Sequence, residues 1–161
     1  MNFFKKIGLF AAALMLSATA MATPQYTATH RSAAMTDLVT AIGATGTLMI
    51  LSGAQPASVA TVDSGTVLAV LPLSATPGTV SAGVLTFNAV TSAAASATGT
   101  AAHFLICTTS NTANCVAVSS TTRIIQGSVG TSGADLNFSS TSFTSGETIS
   151  VTSLTITANG A

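Results

Sequence analysis

Few residues in this chain could do chemistry. Cys107 and Cys115 are its only cysteines, with seven residues between them. The run before Cys107 is apolar and strand-like, a turn follows, and Cys115–Val118 reads as the returning strand. Antiparallel partners bring Cα atoms to about 4.5–5.5 Å, a span that a disulfide bridges. Closing that loop is worth about 2.5 kcal/mol on the chain-entropy account. The favoured reading is a Cys107–Cys115 disulfide. Two buried free thiols or a pair of metal ligands are the alternatives, but no histidine is close enough in sequence to complete a zinc set.

His30 and His103 are the only histidines. His103 shares a strand with Phe104 and is expected to be a surface or half-buried strand residue rather than a catalytic base. No G-x-S-x-G turn is present to expose a serine nucleophile. The four acids, Asp37, Asp63, Asp135 and Glu147, are scattered without the local pairing that would suggest glycoside hydrolysis. Gly130–Asp135 (GTSGAD) resembles a phosphate or calcium loop, but lacks the lysine of a P-loop and the repeated acids of an EF-hand. A turn before a strand, with Asp135 bonding local amides, explains it better. The expectation is a protein that is not an enzyme, with no cofactor and no metal.

The elements that would position these groups are mainly strands. Gly46–Gly53, Thr66–Leu73, Val84–Val90, Thr98–Thr108 and Arg123–Val129 each read as a strand. Pro72 suggests an edge or a strand end. Ser92–Ser96 is an Ala/Ser spacer, either a loop or a tightly packed strand. Ala134–Phe138 and Thr148–Thr157 close the set. In the last run Ile149 and Val151 alternate with polar residues, then the phase slips to Leu154 and Ile156. A one-residue slip reverses every later side chain, so the pattern predicts a bulge near Thr152–Ser153 or a change of sheet. Ser32–Ile42 is the one convincing helix. Met35, Leu38, Val39 and Ile42 have helical spacing, Ser32 or Thr29 can cap it, and Gly43 can end it. Short strands at about ten-residue spacing predict an all-β fold, a single antiparallel β-sandwich or jelly-roll-like domain with one short N-terminal amphipathic helix.

Composition narrows the function. The chain has 161 residues, 48% hydrophobic and only 5% charged, against roughly 25% charged in an ordinary domain. Met1–Ala22 has a basic start at Lys5 and Lys6, an apolar stretch over Ile7–Leu16 and an Ala20-Met21-Ala22 motif. That is the form of a secretory signal peptide, cleaved between Ala22 and Thr23, with residues 23–161 as the β-sandwich domain. The apolar stretch is shorter than the ~20 residues of a membrane-spanning helix, and no cysteine follows it to carry a lipid, so no membrane anchor is expected after cleavage. Met21 is also a candidate start. Without its leader the chain keeps Arg31 and Arg123 against four acids, too few basic groups for a nucleic-acid footprint.

The segment Gly127–Thr157, through GSVGTSGADLN and the final SLTIT, resembles the C-terminus of small β-rich tailed-phage and prophage structural proteins. Tyr26–Gly43, with Arg31, Met35, Asp37, Val39, Ile42 and Gly43 in an R-x-x-x-M-x-D-x-V-x-x-I-G spacing, is similar too, as are Leu48–Ser52 and Gly53-Ala54-Gln55-Pro56. The resemblance implies a structural or accessory subunit with no catalytic residues to carry over. The leader and the Cys107–Cys115 segment depart from it and point to an exported version. Three readings follow. The first is a secreted, periplasmic or cell-surface structural subunit assembling with copies of itself or with other structural subunits. The second is a virion decoration or tail protein starting at Met21. The third, a carbohydrate-binding module, is weakened by the absence of Trp and the single Tyr.

Overall fold

The computed structural model describes residues 25–117 and 122–158. The expected signal peptide and its Ala22/Thr23 cleavage point lie outside the described residues. Among the described residues the fold is β-rich with two helices. In chain order the elements are α1 (Ala28–Ile42), β1 (Thr47–Ser52), β2 (Val67–Pro72), β3 (Gly78–Ser81), β4 (Val84–Phe87), β5 (Ala93–Ala94), β6 (Gly99–Cys107), α2 (Thr112–Val116), β7 (Arg123–Gly130), β8 (Leu136–Asn137), β9 (Ser142–Phe143), β10 (Thr148–Ile149) and β11 (Thr155–Thr157).

The main sheet has six strands in the order β2-β1-β6-β7-β8, with β9 added to β6. β11-β4-β3 form a second sheet, and β10 pairs with β5. All these pairs are antiparallel except β7 with β8, which is parallel. That corrects a wholly antiparallel expectation. The cause is local: the turn of residues 131–135, with Gly133 at φ 69°, loops out beside β7, so β8 runs alongside the end of β7 instead of back along it.

β1 is buried on both faces, Leu48 and Ile50 in one apolar cluster and Met49 and Leu51 in another. This explains its unbroken apolar run, because a strand covered on both sides has no polar face to alternate with. β6 does the same with Phe104 and Ile106 against Leu105 and Cys107. The larger cluster is closed by Leu85 and Phe87 of β4, by Ile149 and Leu154, and by Ile42 of α1.

α1 starts a turn earlier than expected. Thr27 is the N-cap, its side chain accepting from the His30 N–H, and the alanines that follow are good helix formers. Gly43 ends it at φ 67°, its N–H bonded to Val39 C=O. The phase slip late in the chain is a change of sheet: Thr148 and Ile149 pair with β5, while Thr155–Thr157 pair with β4. Residues 150–154 make the crossing, and Ile149 and Leu154 both reach the same core.

One expectation is corrected here, and one strand is added to those expected. There is a second helix, and it replaces the returning strand: residues 112–116 form α2, capped by Asn111, whose side chain accepts from the Asn114 N–H. In addition, Gly78–Ser81 is a strand that completes a hairpin with β4 across Ala82 and Gly83.

Candidate functional site

Cys107, at the end of β6, and Cys115, on α2, form a disulfide with Cα atoms 5.9 Å apart. They are not opposite each other in a ladder. The ladder partners of Cys107 are Thr47 on β1 and Arg123 on β7, and the disulfide folds α2 over the sheet. Both sulfur-bearing residues are fully buried with Met49, Leu51 and Leu105.

Beside the disulfide lies a group of buried polar side chains that the sequence did not reveal. His103 is not at the surface. Its Nε2 is 2.8 Å from Asp63 Oδ2, and both side chains have 0% exposure. His103 Nδ1 faces the Gly53 carbonyl at 3.2 Å. A carbonyl only accepts, so in that contact Nδ1 is the donor. Asp63 Oδ1 accepts the Gly65 N–H at 2.7 Å. A side chain at residue 65 could not fit, because a Cβ there would collide with the Ser52 carbonyl oxygen and sit 3.2 Å from the His103 ring.

Arg123 completes the group. It is 1% exposed. Nε donates to Cys115 C=O, Nη1 to Thr61 C=O and Nη2 to Val116 C=O, at 3.0, 2.7 and 2.8 Å. Burial lowers the pKa of its guanidinium from the usual value, and the Asp63 charge opposes that shift. The Asp63 N–H also donates to Val116 C=O. Each polar group therefore fastens something: the loop of residues 53–66, α2, or both, to one face of the sheet. No substrate reaches the His103–Asp63 pair in this arrangement, and among the described residues no group of three His, Cys, Asp or Glu could hold a metal.

His30 is exposed at the start of α1, its Nδ1 2.8 Å from Thr27 Oγ1, and it is not part of this group. Asp135 is exposed on its turn. Its Oδ2 accepts from both the Ser128 N–H and the Ser128 hydroxyl. Those bonds hold its carboxyl below the usual carboxylate pKa, as expected for an acid that closes a turn.

A seam of about 360 Å³ runs between β7 and β11, lined by Phe104, Ile125, Gly127, Asp135, Thr155 and Thr157, among others. It is floored by apolar groups and rimmed by backbone. Gly127 makes the floor possible, since a Cβ there would lie 2.5 Å from the Phe104 ring. A second cavity of about 390 Å³ lies where Tyr26, His30 and Arg31 meet Ala158.

No family model matches the chain, and neither the curated proteins nor the solved structures include a match.

Proposed function

We propose that this chain is an exported, non-enzymatic structural subunit, built into an assembly with copies of itself or with other structural subunits. One observation carries the reading: His103, Asp63 and Arg123 are used as internal fasteners, while the outer surface is hydroxylic and nearly uncharged. Among the described residues the exposed carboxylates are Asp37, Asp135 and Glu147, and Arg31 is half-buried. Such a surface can be covered by a neighbour without desolvating many ions, each of which would cost several kcal/mol. The architecture that goes with this reading is a sandwich of jelly-roll type, the β3-β4-β11 sheet lying against one face of the main sheet.

Export is supported by the leader pattern of Met1–Ala22 and by the disulfide, since such bonds persist in oxidising compartments. Among the described residues no helix is long and apolar enough to cross a membrane, which is compatible with an extracellular or periplasmic location.

The test is electron microscopy of the secreted fraction, with light scattering of purified protein over a concentration series. Filaments, particles or larger oligomers are expected, and a strict monomer at high concentration overturns the reading. Mass spectrometry of the native N-terminus separates its two forms. A start at Thr23 marks an exported subunit, and a start at Met21 or Ala22 with free thiols marks a virion component.

A further inference from the structure

The seam between β7 and β11 is bordered by two strand edges that still carry free backbone groups. On β7 the Ser128 N–H points away from β6, to Asp135 Oδ2. Residues two apart in a strand direct their backbone groups to the same side, so the N–H and C=O of Gln126 also face outward, into the seam. On β11 the Ala158 N–H donates to Gly83 C=O, and Leu154 C=O accepts the Phe87 N–H. Those residues and Ile156 therefore face β4, and the N–H and C=O of Thr155 and Thr157 face the seam. Exposed strand edges of this kind are templates for another extended chain.

The geometry points to an occupant: the N-terminal arm Thr23–Thr27 of a second copy of this chain, docked as an added strand. This deepens the subunit reading and rests on it. Three observations favour that arm. First, residues 25–27 precede α1 without being helical, and five residues of strand span about 16 Å, more than the three residues of β11. Second, Tyr26 is 57% exposed. Its carbonyl is held by Arg31 Nη1, and its ring does not line the seam of its own copy. An aromatic side chain suits a floor made by Phe104 and Ile125. Third, cleavage after Ala22 leaves an α-ammonium group on Thr23, which complements Asp135, the carboxylate at the rim whose ionised form Ser128 stabilises.

The test uses the chain beginning at Thr23 and a fluorescent peptide of residues 23–28 with a free α-amine. Thr157→Pro removes one outward N–H and leaves the β4 ladder intact, because proline is tolerated on an edge strand. Thr155→Pro does the same one step along and serves as the second variant if the first melts early. We expect the peptide to bind the parent chain, and to bind at least one variant of unchanged melting temperature at least tenfold more weakly. Deleting residues 23–26 should abolish assembly. Absence of peptide binding, or equal binding by a folded proline variant, overturns the seam. Assembly that persists in a folded proline variant overturns it too, yet leaves the subunit reading standing. Peptide binding by a parent chain that stays monomeric overturns both the subunit reading and the inter-copy contact.

Discussion

On one face of the six-stranded sheet, Leu48, Ile50, Phe104 and Ile106 meet other apolar side chains from β4, the β10–β11 crossing and α1. On the other face, Met49, Leu51 and Leu105 meet a loop and a five-residue helix. The first covering is mainly secondary structure, with β4 paired to a strand on each side. The second is irregular and brings unpaired carbonyls with it. Thr61, Cys115 and Val116 direct theirs inward, and Arg123 accommodates all three. A buried carbonyl without a donor costs about 1–3 kcal/mol, so an irregular cover needs a polar fastener where a sheet cover needs only side-chain packing. The difference teaches that buried charge here answers a backbone accounting problem created by the loop of residues 53–66.

The comparison can be broken most severely at Arg123. Arg123→Leu should destabilise the protein by about 3–5 kcal/mol, because Asp63 loses its neighbouring cation and the Thr61 and Cys115 carbonyls lose their donor. Denaturant titration measures the loss, and hydrogen exchange should show it centred on residues 53–66 and α2. A loss below about 1 kcal/mol would mean that the loop is held by something else. On the apolar face Ile50→Ala should cost about 2–5 kcal/mol through a cavity, with exchange rising across the larger core and not selectively in the loop.

Replacing both cysteines by alanine should cost about 2.5 kcal/mol from loop closure, and the exchange change should again fall on the polar face. The His103–Asp63 pair sharpens the contrast further. His103→Leu with Asp63→Leu should cost less than the sum of the single changes, by about 1–3 kcal/mol of coupling, since each single change strands a buried polar partner. Strict additivity would deny that the two act as a unit.

The smallest effect belongs to Asp135. Its folded-state pKa is depressed by Ser128, so its contribution to stability is present above the unfolded carboxylate value of about 3.9. That contribution is lost as pH falls through the lower, folded value. The stability difference between the parent chain and Asp135→Asn should therefore be constant near neutrality and shrink in the acid range. A difference that grows on acidification would contradict the hydrogen-bond account.

Much of the sheet was legible because burial on two faces leaves long apolar runs: the expected strands at Gly46–Gly53, Thr66–Leu73 and Thr98–Thr108 bracket β1, β2 and β6, and Arg123–Val129 stops one residue short of the end of β7. The slip between Val151 and Leu154 was legible for a related reason, since a strand that changes sheet must change phase. α2 was not legible. Five residues hold little more than one turn, too short for a helical period to register, and Cys115-Val116-Ala117-Val118 reads as strand by residue type alone. The hairpin of the second sheet was half legible, with the Val84–Phe87 strand evident and Gly78–Ser81 hidden by the turn signal of Pro77-Gly78.

The chain order of residue types was enough to determine a β-rich fold, where most of its strands lie, and that the two cysteines are near neighbours. It could not place His103, because the partner that makes it a buried residue, Asp63, lies forty residues earlier in a loop with no periodic pattern. Nor could it foresee Arg123 as a fastener, since the carbonyls that hold it come from three separate residues and carry no side-chain signature. Periodicity is a local property written in consecutive residues, whereas the pairing of a buried charge is settled only when distant backbone is brought against it. For that reason the sheets could be read before the structure, and the sealed polar cluster and the open seam only afterwards.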